Sequence, residues 1–444
     1  MNPLPRLLLT SILAAVLGAC GPGPGDGARG EWPQFRGPGG QGQSAATGIP
    51  VSWKADGSQV RWKTAIPGVG NSSPIVSQGQ IFLTSAVEVP RPADAPPCPE
   101  PCAEPGQLER SLVALSAVDG KFLWRSVVFS APPFKHHQLN TNTAPTPVTD
   151  GKFVYAYFGS HLACFDFSGR LIWQKEVDPG YVEHLRYGVG SSPTLVGKAV
   201  VVIRDKEYGV VEKDTGWLGA FDRKTGEELW RVEWQETCCS YTTPLIHERE
   251  GQVEIIVAHS GRITAYDPEN GARLWSHEHP MLQVVSSLLA EKDLVCYLGG
   301  ADHDRGNLCL RVQGRGATAK VEQLWFVPTG PEASSPVMIG NNIFTLSDNG
   351  VVRMFDRNTG EILKIDRLAG QYFRGSLVVA ERNVYAFSTS GHVGVFRPTA
   401  DDKSFEIVAQ NELGDDGNNA SPAIGAGCLL LRSYTHLYCL GKTA

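Results

Sequence analysis

Residues 222–230 read DRKTGEELW, a turn that ends at Gly226 and is followed four residues later by Trp230. Thr243-Pro244 and a short apolar run come next, and the same order recurs along most of the chain. The Gly and Trp pairs are Gly120/Trp124, Gly169/Trp173, Gly226/Trp230 and Gly271/Trp275. The Pro steps are Ser73-Pro74, Thr146-Pro147, Ser192-Pro193, Thr243-Pro244, Ser335-Pro336 and Ser421-Pro422. A period of about 40 to 60 residues with several strands per unit predicts a β-propeller.

Each repeat has the pattern of an antiparallel sheet. In residues 343–360 two apolar strands flank the turn Ser347-Asp-Asn-Gly350, and the turn Asp356-Arg-Asn-Thr-Gly360 follows. The Asp of such a turn can accept hydrogen bonds from backbone amides, while the Gly can adopt the positive φ that the turn requires. The Trp after the turn opens the outer strand, where a large ring can cover the gap between neighbouring repeats.

The number of repeats follows from the steps that begin them. Eight units begin near Ser73, Thr146, Ser192, Thr243, Ser286, Ser335, Gly375 and Ser421, and the fifth and seventh lack the Pro. The chain ends soon after Leu440 without an outer Trp strand, whereas Val60-Arg61-Trp62-Lys63 is a spare strand of that type. We therefore predict that residues 31–444 form an all-β, eight-bladed propeller of four-stranded antiparallel blades. The N-terminal strand closes the ring and removes exposed edges.

The composition excludes several classes of protein. The chain has 444 residues and a net charge of −6, and 19% of its residues are charged. The low charged fraction argues against a disordered chain, and mild acidity without a basic run argues against nucleic acid as a partner. The 49 Gly and 30 Pro residues suit an all-β protein with many turns.

The N-terminus has the features of an export signal. Arg6 supplies the positive charge, and the apolar run of residues 7–17 is too short to span a bilayer comfortably. The run ends in Leu17-Gly18-Ala19-Cys20, which resembles the lipobox of bacterial lipoproteins. An ordinary signal peptide that contains a Cys is the alternative.

The lipobox resemblance implies where the protein is located. Residues 1–19 would be a lipoprotein signal peptide, Cys20 would be lipidated, and residues 20–30 would form a flexible tether. Gly21 stands where lipoproteins retained in the inner membrane have Asp. The expectation is therefore an exported outer-membrane lipoprotein that faces the periplasm.

The cysteines suit an oxidising compartment. Of the ten, nine remain once Cys20 is set aside. The candidate disulfide pairs are Cys98 with Cys102, Cys238 with Cys239, Cys296 with Cys309, and Cys428 with Cys439. The last two pairs would each join adjacent strands of one hairpin, where a register error of two residues would prevent the bridge. Packing as free thiols is the alternative for these strand cysteines, and Cys164 is left over.

The motifs resemble a known family. The pattern over about residues 31–442 is similar to the pyrroloquinoline-quinone (PQQ) repeat. Trp32-Pro-Gln-Phe-Arg-Gly-Pro38 and Ser433-Tyr-Thr-His-Leu-Tyr-Cys439 resemble the PQQ-like propeller proteins of planctomycete-type bacteria. The same proteins are also resembled by two further segments, Val148-Thr-Asp-Gly151 and Tyr155-Ala-Tyr-Phe-Gly159. The resemblance implies the propeller fold and says little about function, because one fold serves many functions.

One implication of the resemblance is quinoprotein catalysis. Quinoprotein alcohol dehydrogenases carry a vicinal disulfide against the PQQ ring, so Cys238 and Cys239 are candidate cofactor contacts. A vicinal bridge is strained and usually signals a special role. However, the family's calcium ligands and catalytic Asp match no motif here, and Cys-x-x-Cys-His for covalent haem is absent from the sequence. A PQQ- and calcium-dependent alcohol or sugar dehydrogenase is therefore the alternative. For Cys238 and Cys239 we expect a structural pair or two thiols with different partners.

The favoured interpretation is a binding protein. A lipid-anchored, PQQ-like propeller resembles the BamB-like lipoproteins of outer-membrane protein assembly, which dock their membrane partner through loops. The Pro-rich insertion of residues 88–102 could present such a loop, although a tolerated surface insertion is the simpler interpretation. Residues 301–305 and 135–137 contain possible metal ligands but are expected to be solvated loops. We therefore predict a non-catalytic scaffold that binds cell-envelope proteins, with no catalytic residue, metal site or cofactor.

Overall fold

The computed structural model describes residues 30–54, 59–91, 106–133, 140–179, 188–205, 215–235, 239–300 and 305–441. In these residues the strands form eight sheets, which are the blades of a propeller. Before the first blade lie a 3-10 helix, Pro38–Gly40, and two strands, β1 (Gln43–Ser44) and β2 (Val60–Ala65). Nowhere in the described ranges is there a helix long and apolar enough to cross a bilayer.

The strands of the first four blades follow chain order from the axis outward. Blade one contains β3 (Ile75–Ser77), β4 (Gln80–Val89), β5 (Gln107–Ser116) and β6 (Phe122–Ala131). Blade two contains β7 (Val148–Thr149), β8 (Phe153–Tyr157), β9 (His161–Asp166) and β10 (Leu171–Glu176). Blade three contains β11 (Thr194–Val196), β12 (Ala199–Arg204), β13 (Gly216–Asp222) and β14 (Glu228–Trp234). Blade four contains β15 (Leu245–Arg249), β16 (Gln252–His259), β17 (Arg262–Tyr266) and β18 (Arg273–Glu278).

The remaining blades repeat this order until the chain ends. Blade five contains β19 (Leu289–Glu291), β20 (Leu294–Gly299), β21 (Gly306–Gln313) and β22 (Lys320–Val327), with a 3-10 helix at Gly316–Thr318. Blade six contains β23 (Val337–Ile339), β24 (Asn342–Leu346), β25 (Val351–Asp356) and β26 (Ile362–Arg367). Blade seven contains β27 (Val378–Ala380), β28 (Asn383–Phe387), β29 (His392–Pro398) and β30 (Phe405–Glu412). Blade eight contains β31 (Ala423–Gly425), β32 (Cys428–Arg432) and β33 (His436–Leu440).

Two N-terminal strands join the last blades to the start of the chain. β2 pairs antiparallel with β33, so that Lys63 lies opposite Tyr438, and it supplies the outer strand of blade eight. This confirms the predicted closure of the ring. β1 pairs parallel with the inner strand β27, which makes blade seven a sheet of five strands.

The turn tryptophans bind the blades to one another. The ring of Trp173, in blade two, covers Gly226 in the turn of blade three, where a Cβ atom would lie only 2.6 Å from the ring. The indole donates a 2.9 Å hydrogen bond to the Arg223 carbonyl of that turn. Trp62, Trp124, Trp230 and Trp325 contact the next blade in the same way. Trp275 donates instead to Glu254 of its own blade.

A ring of hydroxyl groups links the inner strands around the axis. In the described residues, six junctions between blades have a Ser or Thr hydroxyl that accepts a hydrogen bond from a backbone amide of the preceding blade. The donor and acceptor pairs are Ser73 and Thr146, Thr146 and Ser192, Ser192 and Thr243, Ser287 and Ser335, Ser376 and Ser421, and Ser421 and Ser73. The Pro steps of the sequence therefore hold adjacent blades together at the axis.

The described part of the structure contains both a disulfide and thiols among the cysteines. Cys296 and Cys309 lie directly opposite each other in β20 and β21 and are joined by a disulfide. Cys164 is a buried thiol. Cys20, Cys98, Cys102 and Cys238 lie outside the described residues.

Cys428 and Cys439 are both thiols in the structure, which is the alternative that the sequence left open for this candidate pair. Cys439 lies opposite Leu430, so that Cys428 stands diagonally across the strand pair from Cys439. The Arg61 guanidinium donates a 3.0 Å hydrogen bond to the Cys428 sulfur. A hydrogen bond from Cys439 and the charge of Arg61 lower the pKa of Cys428 to about 7 despite its burial.

Candidate binding face

The two ends of the propeller differ. At the end that we call the turn face, tight turns join the first and second strands of each blade, as at residues 77–80 and 425–428. At the opposite end, the loop face, the chain passes from one blade to the next, as at residues 66–74 and 413–422. Because a propeller binds ligands at its ends, each face is considered in turn.

Residues 30–44, which we call the plug, lie across the turn face. Backbone hydrogen bonds attach the plug to blades one, two, seven and eight: Trp32 to Val76, Pro33 to Thr149, Gly42 to Val379 and Gly30 to Ala426. Trp32 is fully buried. The family motif at Trp32–Pro38 therefore covers the turn-face end of the axial channel, a role that could not be predicted from the motif itself.

Side chains attach the plug to the other blades. Gln41 accepts a 3.1 Å hydrogen bond from the Ala290 amide of blade five, and Gln43 donates a 2.8 Å bond to the Met338 carbonyl of blade six. A small cavity separates the plug from blades three, four and five, with Thr194, Leu245 and Leu288 among its lining residues. The plug is therefore hydrogen-bonded to blades one, two, five, six, seven and eight in the described residues.

On the loop face, Cys239 stands where blade three passes into blade four. Its φ of +64° lies in the left-handed region, which a non-glycine residue rarely adopts. The following Ser240 amide donates a 3.0 Å hydrogen bond to Asp205, and Trp234 donates a 3.0 Å bond to the other oxygen of that carboxylate. Gly190, Asp205, Cys239 and Tyr241 help to line a cavity of about 10 Å³, which is the room that about one water molecule needs.

A buried ion pair stiffens the neighbouring part of the loop face. Arg204 donates a 2.8 Å hydrogen bond to Asp178, with 8% and 15% of the two side chains exposed. The Trp217 indole approaches the same carboxylate, and the Arg231 guanidinium lies 4.1 Å from the centre of the Trp217 ring. These contacts join blade two to blade three.

A second group of charges lies between blades five, six and seven. Arg374 donates a 2.9 Å hydrogen bond to Asp348, and Arg305 pairs with Glu332. Burial and contact with Glu332 raise the pKa of Asp348 to about 7, against the opposing effect of Arg374. Two carboxyl groups are thus held together between two guanidinium groups.

Two exposed tyrosines border this charge cluster. Tyr372 is 52% exposed, has a left-handed φ of +57°, and lies 5.3 Å from the Arg374 guanidinium. Tyr434 of blade eight is 38% exposed. Partial burial raises the pKa of its hydroxyl, and the nearby charge of Arg374 opposes that rise. Exposed Tyr beside Arg is typical of the residues that dominate protein–protein binding energy. Strained backbone at such a place also points to function.

Asp415 fixes the loop face of blade eight. Its carboxylate accepts hydrogen bonds of 2.7 Å from Tyr438 and 3.1 Å from Ser433. Burial alone would raise the pKa of Asp415, but these hydrogen bonds and the charge of Lys63 outweigh it and lower the pKa. These hydrogen bonds hold Tyr438 and the loop that carries Tyr434 in place.

Sequence reasoning found few of these residues. It named Cys239, whose partner candidate Cys238 lies outside the described residues, as do residues 301–304. Asp348 was noted there only within the turn Ser347–Gly350, and Arg374 precedes Gly375, where the seventh repeat begins without a Pro. Within the ranges that the structure describes, no three His, Cys, Asp or Glu side chains come close enough to hold a metal ion.

Comparison with known proteins identifies the family of the chain. A family model described as outer membrane protein assembly factor BamB matches residues 44–180 and 108–366. The outer membrane protein assembly factor BamB of Shewanella oneidensis is 24% identical over 228 residues, which are 48% of this chain and 54% of the relative. The chain therefore spans about half the length of the curated relative it matches.

Solved structures share the fold. BamB from Moraxella catarrhalis has a TM-score of 0.52 at 13% identity, covering 81% of this chain and 100% of its own. A quinohemoprotein alcohol dehydrogenase from Pseudomonas putida HK5 has a TM-score of 0.57 at 12% identity, covering 93% and 80%. The computationally designed protein Ika8 has a TM-score of 0.54 at 12% identity, covering 85% and 98%. An enzyme, an assembly factor and a designed protein thus share this architecture. The architecture alone therefore does not identify the function of the chain.

Proposed function

The chain belongs to the PQQ-repeat family of the outer membrane protein assembly factor BamB, and we propose that it binds other cell-envelope proteins and catalyses no reaction. In this proposal it is exported, lipidated at Cys20 and held at the outer membrane on the periplasmic side. Its partners are proteins of outer-membrane assembly, as the name of its relatives indicates. Replacing Cys20 with Ser is expected to release the protein from the membrane fraction, and continued pelleting with membranes would contradict the lipid anchor.

The loop-face cluster of Tyr372, Arg374 and Tyr434 is the observation that carries the proposal. The tyrosine rings are partly exposed, whereas Arg374 is held by Asp348 at 2.9 Å and is pre-organised. Pre-organised side chains lose less conformational entropy when a partner binds. The plug, by contrast, occupies the turn face and begins there at Gly30, the first residue that the structure describes. A protein held by its N-terminus therefore has its loop face free for a partner.

Charge reversal at Arg374 tests this proposal. The full-length Arg374→Glu variant, extracted in detergent with an affinity tag, is expected to co-purify at least about tenfold less outer-membrane protein than the wild type. Arg397→Glu is the matched control, because Arg397 is 49% exposed, pairs with Glu406, and lies at the turn-face end of β29. Equal losses in the two variants, or none in either, would contradict docking through the cluster.

PQQ-dependent dehydrogenation is the competing proposal. Among the described residues, Gly190, Asp205 and Tyr241 line the cavity beside Cys239, and the calcium-ligand and catalytic Asp motifs of the quinoproteins are not recognised in the sequence. We expect calorimetric titration of the full-length protein with PQQ and calcium to give no heat of binding. Stoichiometric binding that weakens when Cys238 and Cys239 are both replaced with Ser would establish the quinoprotein instead.

A further inference from the structure

Five large apolar side chains are exposed at the turn-face end of blades one and two. Phe122 and Leu123 begin the outer strand of blade one, and Val118 lies in the turn before them. Leu171 and Ile172 begin the outer strand of blade two. These five residues, which we call the apolar edge, are between 37% and 71% exposed. Exposed apolar side chains are common singly, but a contiguous group of them marks a surface that binds lipid or protein.

The two parts of the apolar edge are joined where their blades touch. Trp124 of blade one donates a 3.0 Å hydrogen bond from its indole to the Phe167 carbonyl of blade two. Ser126 donates a 2.6 Å bond to the Gly169 carbonyl. Both acceptors lie in the turn that leads directly into Leu171. The exposed residues of the two blades therefore form one continuous surface.

The fold does not require apolar residues at this place. Phe122 and Leu171 are the first residues of the outer strands of their blades. In blades three and four the first residues of the outer strands are Glu228 and Arg273. A charged side chain thus fits this position of the repeat, so the apolar character of blades one and two calls for another reason.

The described chain begins on the same side of the turn face. The Gly30 carbonyl accepts a 2.9 Å hydrogen bond from the Ala426 amide, in the first turn of blade eight. The Glu31 carboxylate accepts a 2.9 Å bond from the Gln78 amide, in the first turn of blade one. The Gln78 side chain donates in its turn to the Gly151 carbonyl of blade two. The chain therefore starts beside the blades that carry the apolar edge.

A lipid anchor at Cys20 would keep this side of the propeller near the membrane. Gly30 is ten residues after Cys20, and ten residues span at most about 35 Å even when fully extended. A short connection of this kind favours contact between the bilayer and the face from which it starts. Aliphatic side chains with an aromatic ring suit the boundary between lipid headgroups and acyl chains.

We propose that the apolar edge inserts into the surface of the phospholipid bilayer that carries the anchor. The contact removes the exposed side chains from water, keeps the turn face toward the bilayer and presents the loop face to protein partners. This inference rests on the proposed function, because it needs the lipid anchor.

Photo-crosslinking to lipid tests the contact. The full-length lipidated protein carries a photo-reactive residue in place of Phe122 or Leu171, or in place of Ile365 as the control. Ile365 is similarly exposed but lies on the outer strand of blade six. In vesicles of phosphatidylethanolamine and phosphatidylglycerol, positions 122 and 171 are expected to give lipid adducts that mass spectrometry identifies, and position 365 none.

Flotation of the same vesicles separates the two ways of failing. Protein that floats with the vesicles but gives no lipid adducts at positions 122 and 171, or equal adducts at position 365, would overturn this inference alone. Protein that does not float would contradict the lipid anchor and this inference with it. Crosslinks in living cells from position 122 to a protein instead of lipid would also overturn the membrane contact.

Charge substitution gives a second measurement. With the photo-reactive residue in place of Val118, replacing Phe122 and Leu171 together with Glu is expected to lower the yield of lipid adducts at least about tenfold. Blade three already has Glu228 at this position, so the fold tolerates the change. Ile365→Glu is the matched control and should leave the yield unchanged. An undiminished yield in the double variant, or an equal fall in the control, would overturn the proposal.

Discussion

At Gly226 a side chain would collide with the neighbouring blade. A Cβ atom there would lie 2.6 Å from the Trp173 ring and 2.9 Å from Lys175, and the φ of +72° disfavours any other residue. Gly197 also has a positive φ, of +51°, but no atom lies within 4 Å of its would-be Cβ. The two glycines thus separate the cost of the backbone conformation from the cost of the contact between blades.

Replacing these glycines with Ala should therefore have unequal effects. Gly197→Ala is expected to lower the free energy of unfolding by about 1 kcal/mol, the cost of a left-handed Ala. Gly226→Ala is expected to lower it by about 3 kcal/mol, because displacement of the Trp173 ring adds to that cost. Urea unfolding measures both values. Equal losses would show that the tryptophan contact contributes nothing to the joining of blades.

The pKa of Asp348 predicts a pH dependence of stability. The folded value of about 7 lies above the ordinary value of 3.8, so between these limits the folded chain holds a proton that the unfolded chain has lost. The stability from this group therefore falls as the pH rises through that window. We expect the stability of the wild type, relative to Asp348→Asn, to fall between about pH 5 and 7 by at most about 1.4 kcal/mol per unit. Parallel profiles would contradict the assignment.

Individual residues could be predicted from the sequence only where their role repeats. The glycines and tryptophans of the turns recur, so Gly226 and Trp173 could be recognised without a structure. Asp348 and Arg374 occur once and meet only through the packing of different blades. Arg36 belonged to a recognised motif, but its burial depends on contacts with Pro336, far along the chain.

At the scale of strands, register decided which predictions succeeded. Hairpin spacing suggested two similar cysteine pairs, yet only Cys296 and Cys309 stand directly opposite each other. Cys428 and Cys439 are displaced by one diagonal step, because Cys439 pairs with Leu430. The sequence establishes which strands are neighbours, but the exact pairing depends on how the chain closes blade eight.

The disulfide should stabilise blade five. It closes a loop with a sequence separation of 13, for which loop entropy gives about 3 kcal/mol. Urea unfolding with dithiothreitol should therefore destabilise the wild type by about that amount more than Cys296→Ser. Cys428→Ser is the control and should respond to dithiothreitol as the wild type does, because Cys428 is already a thiol. An equal response of the wild type and Cys296→Ser would contradict the bridge.

At the scale of the molecule, the ring depends on the chain's two ends. One buried apolar cluster spans the closure, with Val395 of blade seven, Leu430 of blade eight and Leu83 of blade one. Arg432 crosses the same junction and donates hydrogen bonds of 2.8 Å to the Ser72 backbone and hydroxyl. Blade number and closure could be predicted because repeats and a spare strand are visible in sequence. The plug could not, because an irregular segment has no periodicity to reveal its course.

The two faces of the molecule have different roles in this account. The plug covers the turn face, and the loop face carries the exposed Tyr372 and the charge cluster around Arg374. The central claim is that the loop face, and not the outer rim, meets the envelope partner.

Site-specific photo-crosslinking in living cells tests that claim most directly. A photo-reactive residue is placed at Tyr372 on the loop face, which is 52% exposed, or at Ile365 on the outer strand of blade six, which is 55% exposed. We predict crosslinks to outer-membrane assembly proteins, identified by mass spectrometry, from position 372 and none from position 365. The same crosslinks from both positions, or crosslinks from position 365 alone, would contradict the account.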